Sequence, residues 1–405
     1  MQIYRLLPPL LCALALVPAA HAAPNLYVGA AEDASRGNFD WAKPKMDLAA
    51  AAGFDAVRLT SVWSPGQQEP SELELLALRS AAEAAAIDDI RILITVMPYG
   101  SSTTPLTTRA RADFASYAAA LVAALPTVHD YIIGNEPNIN RFWLPQFGPD
   151  GSDVAAAAYM QLLAHTYDAM KAVDPEVTVI GGSVSPRGSD DPAGSRPTHS
   201  PTQFILDLGA AYRALGRSKP VMDAFAFHPY GEHSHVPPTF THPRSTTIGL
   251  ADYPKLVGLL GHAFNGTAQK GSSLPIVYDE YGVQSQIPPA KQSVYKNLSV
   301  PSGQDAVPES VQAEYYRQAI LMAACQPTVK GLLIFHVTDE ADLDRWQSGV
   351  YYADDTPKPT LKAVKRAIAA ARDPRCPSSD VTPPPGALKN LWRTVRTLKS
   401  TLTRR

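Results

Sequence analysis

The chain has 405 residues, 45% of them hydrophobic, and a formal net charge of -2. That is globular composition with ample material for a core, and the near-neutral balance argues against the basic face of a nucleic-acid-binding body. Three cysteines are too few for a zinc cluster of thiolates.

Residues 1–22 read as a cleavable signal peptide. Arg5 gives a positive start, Leu10 to Val17 is apolar, and Ala20-His21-Ala22 has the small-x-small form of a cleavage site. The apolar run is shorter than the roughly 20 residues that cross a bilayer. Pro8, Pro9 and Pro18 spoil the alternative, a buried first helix. Export places the chain outside the cell or in its envelope. Cys12 lies in the signal, so Cys325 and Cys376 remain as an even pair and a disulfide between them is expected; two unpaired thiols are the alternative.

From residue 23 to 373 the chain alternates. Apolar strand-length runs recur at Leu26 to Ala30, Ala56 to Thr60, Ile90 to Met97, Tyr131 to Asn135, Val177 to Gly182, Val221 to Phe227, Leu274 to Tyr278 and Gly331 to His336. Each is followed by a longer Ala- and Leu-rich helical pattern, such as "ELELLALRSAAEAAAI" and, last, "PTLKAVKRAIAAA". Strict alternation implies parallel strands with crossover helices. Repeated to eight, it predicts an α/β fold, a closed (β/α)8 TIM barrel of ~250 residues plus insertions, forming a single catalytic domain. An open doubly wound sheet would want a glycine-rich phosphate turn after its first strand, and "VGAAEDASRG" does not supply one. Long segments follow the fifth, sixth and seventh strands, where they wall the catalytic face.

Polar residues at strand C-termini converge on one cleft in such a barrel. Strand two offers Arg58 and Trp63; strand four ends in Asn135 and Glu136; strand six offers His228 and Tyr230; strand seven ends in Asp279 and Glu280. Residues alternate along a strand, so only one of the last two should face the cleft. Two carboxylates across a barrel mouth suit glycosidic bond cleavage. One protonates the leaving oxygen, and the other attacks the anomeric carbon or activates a water.

These stretches resemble those of the clan A glycoside hydrolases, retaining TIM-barrel enzymes. "IIGNEPN" is similar to that clan's strand-four signature and "PIVYDEYG" to its strand-seven one. "HPY" resembles the His-x-Tyr of cellulase-like members, Arg58 matches their strand-two arginine, and "GVYYADDTPKPTLKAVK" resembles the segment after strand eight in families 5 and 39. The resemblance implies Glu136 as general acid/base and Glu280 as nucleophile. It implies Asn135 as the amide on the sugar 2-hydroxyl, Tyr230 as partner of the nucleophile, Arg58 behind it and His228 beside it. It also implies double displacement through a covalent glycosyl-enzyme, with a carbohydrate substrate and no cofactor. The pattern departs at strand eight, where a sugar-stacking tryptophan is common and His336 stands instead; Trp346 is the candidate replacement. A transglycosylase with the same residues and a non-catalytic carbohydrate-binding barrel are the alternative functions.

Trp63, Trp143 and Trp346 follow strand ends, where aromatic faces suit sugar rings or simply pack loops. His228, His233, His235 and His242 crowd one loop, but their spacing matches no defined metal site. Residues 374–386 read as a proline-rich linker. Residues 387–405 read as a basic amphipathic tail whose expected contact is peripheral, with an anionic membrane or cell wall.

Overall fold

A computed structural model describes residues 26–298, 305–373 and Cys376. The signal peptide, the rest of the linker and the tail lie outside the described residues.

Eight parallel strands close into a barrel in sequence order. They are β1 (Tyr27–Ala31), β2 (Ala56–Trp63), β3 (Arg91–Pro98), β4 (Asp130–Ile133), β5 (Thr178–Val184), β6 (Ala224–Phe227), β7 (Ile276–Tyr281) and β8 (Val329–Phe335). The helices between and after them are α1 (Phe39–Ala52), α2 (Glu72–Ile87), α3 (Thr108–Ala124), α4 (Ala155–Val173), α5 (Pro201–Ala214), α6 (Tyr253–Phe264), α7 (Glu309–Ala324) and α8 (Pro359–Ala371). The TIM-barrel expectation holds. Local signals start the helices: Asn38, Ser71, Thr107 and Ser200 each cap one by accepting a backbone N–H of its first turn.

Two apolar layers follow from strand alternation. Inward residues Ala56, Leu93, Ile132, Ile180, Ala224, Ala226, Val277 and Leu333 fill the barrel's interior, with Tyr27 packed against them. Outward residues such as Val57, Leu59, Ile94, Tyr131 and Val179 pack under the helices. Gly331 is forced by the first layer, since a Cβ there would lie 2.2 Å from the Tyr27 ring.

Strand bounds differ from expectation in instructive places. β4 ends at Ile133, before Asn135, because Gly134 leaves extended backbone at φ +84°. β6 starts at Ala224, three residues after Val221.

The loops over the C-terminal face are tied by a buried network. Lys358 Nζ donates to Asp339 Oδ1 at 2.7 Å and Ser285 Oγ at 2.9 Å, while Tyr295 Oη donates to Asp339 Oδ2 at 2.7 Å. Both Lys358 and Asp339 side chains are wholly buried. This pins the segments after β7 and β8 to each other above the barrel mouth.

Candidate active site

The chain turns sharply after β4. Gly134 takes φ +84°, and a Cβ there would meet the Tyr159 ring at 3.0 Å. Glu136 itself lies at φ +40°, a region that non-glycine residues rarely enter and that collects at functional sites. Neighbours hold the strain in place. The Glu136 N–H donates to the Ser183 carbonyl at 2.8 Å. Buried Asn138 donates to the His199 carbonyl at 3.0 Å and accepts from the Ser185 N–H at 2.9 Å. The carboxylate of Glu136 is thereby delivered over the barrel mouth.

β7 supplies two more carboxylates. Asp279 shares the inward parity of Val277, and a register shift against β8 between Tyr278 and Tyr281 turns Glu280 inward as well. The expectation that only one of the pair faces the cleft is corrected by this bulge. Arg58 on β2 forks between them, with Nη1 3.0 Å from Asp279 Oδ2 and Nη2 2.5 Å from Glu280 Oε1. Tyr230 Oη donates to the other Glu280 oxygen, Oε2, at 3.1 Å.

His228, at the end of β6, joins everything. Its Nδ1 lies 3.0 Å from Glu136 Oε1 and 3.5 Å from Glu280 Oε2. Its Nε2 lies 3.0 Å from Ser183 Oγ and 3.3 Å from Asp279 Oδ2. Ser183 Oγ donates to Asp279 Oδ2 at 2.8 Å. Because one nitrogen touches both glutamates, those two oxygens are separated by no more than the sum of its distances, about 6.5 Å.

The charges explain the titration. Burial pushes the His228 imidazole down, but Glu280, Asp279 and Glu136 outweigh it and hold the group well above its ordinary value. Burial pushes the Asp279 carboxyl up, and His228, Arg58 and Ser183 outweigh that and hold it low. For Arg58 the burial cost is again exceeded, by Glu280 and Asp279, and its charge is reinforced. Tyr230 is driven up by burial and by Glu280, so its phenol stays a donor.

The structure thus brings Arg58, Glu136, His228, Tyr230 and Glu280 together. Asn135 stands beside Glu136, half-buried, and its amide makes no hydrogen bond among the described residues. Trp346 enters the site from the loop after β8, its ring 5.5 Å from Tyr230 and 5.4 Å from Phe335. His336 borders the same wall, with φ +115° and its ring 4.0 Å from Phe335. Burial pushes its imidazole down, and the nearby Glu340 and Glu32 outweigh this and raise it.

Two sequence assignments fail. Trp63 is wholly buried, edge-on to Phe114 on the helix side of the barrel, with its Nε1 donating to Gln67 O. It stands five positions from inward-facing Arg58, on the opposite face of β2. Trp143 is also buried, edge-on to Tyr159 of α4. Neither can stack on a sugar. The expected cysteine pair is adjacent: Cys325 and Cys376 lie side by side, here as free thiols. Burial and the neighbouring Cys376 push the Cys325 thiol up to about 12.

Sequence reading missed Ser183 and the inward role of Asp279. The double glycine before Ser183 in "IGGSVS" was the available sign of irregular backbone. The other loop histidines do not join His228: His233 and His235 stack on each other with centroids 5.2 Å apart and both face Asp305, at 3.0 and 4.0 Å, while His242 Nδ1 turns to Asp252 at 2.6 Å. Among the described residues no group of three or more ligating side chains is placed to hold a metal ion.

The sequence matches no family model and no curated protein. Solved structures do match. A family 39 glycoside hydrolase from Bacteroides cellulosilyticus WH2 aligns with a TM-score of 0.61 at 18% identity, over 87% of this chain and 64% of that one. This chain therefore spans less than two thirds of that protein's length. A GH5_18 protein from Streptomyces cattleya, solved in complex with GlcNAc, aligns with a TM-score of 0.57 at 17% identity, over 92% of this chain and 88% of that one. A GH39 β-xylosidase from Caulobacter crescentus aligns with a TM-score of 0.52 at 15% identity, over 87% and 73%. The chain shares the eight-stranded barrel fold of these glycoside hydrolases.

Proposed function

We propose that this chain is a secreted, retaining glycoside hydrolase acting on O-glycosidic bonds of an oligo- or polysaccharide. The observation that carries the reading is the unequal treatment of two carboxylates on one histidine nitrogen. Both oxygens of Glu280 receive donors, from Arg58 and Tyr230. Glu136 meets only His228 through Oε1, and its Oε2 has no partner among the described residues. A carboxylate clamped by a guanidinium and a phenol suits attack at carbon; one held by a single imidazole suits proton exchange.

Glu280 would attack the anomeric carbon while Glu136 protonates the departing oxygen, leaving the sugar esterified to Glu280. Glu136, now a carboxylate, would take a proton from water as that water attacks the same carbon and expels Glu280. Two displacements return the original configuration. Retaining carboxyl pairs stand ~5–5.5 Å apart and inverting pairs ~6.5–9.5 Å. The cap of about 6.5 Å, set by the shared His228 nitrogen, favours the former. Asn135 would hold the sugar 2-hydroxyl, and Trp346, with His336, would wall the subsite of the reacting sugar.

The test is a panel of aryl glycosides and polysaccharides, followed by proton NMR of the first product formed. Turnover with the starting anomeric configuration is the expected result. An inverted product, or no turnover of any glycoside, contradicts the reading. Release of larger products on adding an acceptor sugar would mark transfer in place of hydrolysis.

A further inference from the structure

Ser183 is wholly buried at φ +50°, one residue before the end of β5. Its hydroxyl has one proton to give. Asp279 Oδ2 lies 2.8 Å away and takes it, because two oxygen lone pairs at that distance repel. The hydroxyl can then only accept from His228 Nε2, at 3.0 Å, so that nitrogen carries hydrogen. Asp279 Oδ2, 3.3 Å from the same nitrogen, is a second acceptor for it. On the ring's other side, Nδ1 faces Glu136 Oε1 at 3.0 Å, and a contact of that length needs one proton between them. The same Ser183 also fixes the backbone of Glu136, whose N–H donates to its carbonyl.

We propose that Ser183 is a positioning residue that pins a proton on His228 Nε2, so that Nδ1 and Glu136 Oε1 share the one proton the acid delivers. This rests on the reading of Glu136 as the acid. The charged groups facing His228 are Glu136 from β4's end and Asp279 and Glu280 from β7, with Arg58 of β2 bonded to the latter two and Tyr230 edge-on at 6.1 Å. With Nε2 occupied, the proton on the far side belongs to Nδ1 and the carboxylates facing it, and Glu136 Oε1 at 3.0 Å is nearer than Glu280 Oε2 at 3.5 Å. No proton is gained or lost: it sits as imidazolium with carboxylate, or as neutral imidazole with carboxylic acid.

The test uses the full chain with Ser183→Ala and Ser183→Gly. Both remove the hydroxyl and keep the carbonyl, and glycine also relieves the left-handed backbone. Nitrogen-15 NMR of the imidazole should find wild-type Nε2 protonated and its hydrogen slow to exchange; in both variants that hydrogen should exchange faster and a second tautomer appear. For a poor leaving group kcat/KM should fall about ten- to a hundredfold, the loss of one charge-assisted hydrogen bond. The alkaline limb of the pH profile should move, and dinitrophenyl glycosides should be nearly unaffected. A bare Nε2 in the wild type overturns the proposal. So does an equal loss on all leaving groups, or wild-type behaviour in Ser183→Gly with loss only in Ser183→Ala, which would leave backbone strain as the residue's whole role. A pinned proton in a chain that cleaves no glycoside supports the proton assignment and overturns the role of Glu136.

Discussion

Replacing Arg58 with methionine keeps a long unbranched side chain and removes a buried positive charge. Two carboxylates lose a partner at once: Asp279, wholly buried, and Glu280, whose side chain is 13% exposed. Breaking a buried pair by deleting one member costs about 3–5 kcal/mol, because the remaining charge stays desolvated. His228 and Ser183 still serve Asp279, and Tyr230 still serves Glu280, so the loss should fall inside that range rather than above it. The pH dependence has a definite sign. The folded Asp279 carboxyl is held below its ordinary value, against burial, partly by Arg58. A depressed carboxyl contributes stability that is present above its unfolded value, about 3.9, and is lost as pH falls through the folded one. The gap between wild type and Arg58→Met should therefore be fully present from pH 7 down to about pH 4 and narrow below that, as acid protonates the carboxylate. Arg58→Lys should recover only part of the loss, since one ammonium cannot copy the fork to two carboxylates. Urea midpoints at matched slope, taken across that pH range, measure it. A gap under about 1 kcal/mol at neutral pH, or one that widens on acidification, would refute the assigned electrostatics.

The tryptophans should separate: Trp63→Ala should cost about 3–5 kcal/mol of stability with little change in KM, and Trp346→Ala should raise KM several-fold at smaller cost to stability. Equal effects would undo the division between core and site. After oxidation, thiol titration of the unreduced, unfolded protein should find Cys325 and Cys376 joined, with about 2–4 kcal/mol lost on reduction; two titratable thiols would end that expectation. Truncation after Pro385 should weaken retention on anionic vesicles or cell envelopes while leaving turnover of small soluble glycosides unchanged, and undiminished retention would remove the tail's proposed role.

Much of this was legible in the sequence for a simple reason. Parallel strands buried on both faces read as unbroken apolar runs, so β2, β3 and β5 announce themselves, and polar residues that end such runs are conspicuous. Glu136, His228, Tyr230 and Glu280 were visible on that ground. What was hidden depended on direction. Trp63 looked like a cleft residue because it ends a strand, yet counting from Arg58 places it outward. Counting then misleads at Asp279 and Glu280, where a bulge admits both to the barrel mouth. Ser183 was invisible because its role comes from a left-handed backbone turn and from partners 45 and 96 residues away in sequence. The Lys358–Asp339 pair was equally unreadable, since nothing local marks a lysine as wholly buried.

Azide reads the division of labour between Glu280 and Glu136 directly. With a dinitrophenyl glycoside that the wild type cleaves, Glu280→Ala should be nearly inactive, and added azide should restore turnover and give a glycosyl azide of inverted configuration. Glu136→Ala should still form the glycosyl-enzyme, and azide should release a product of retained configuration. Near-wild-type rates in either variant, or the two configurations exchanged, would contradict the assignment.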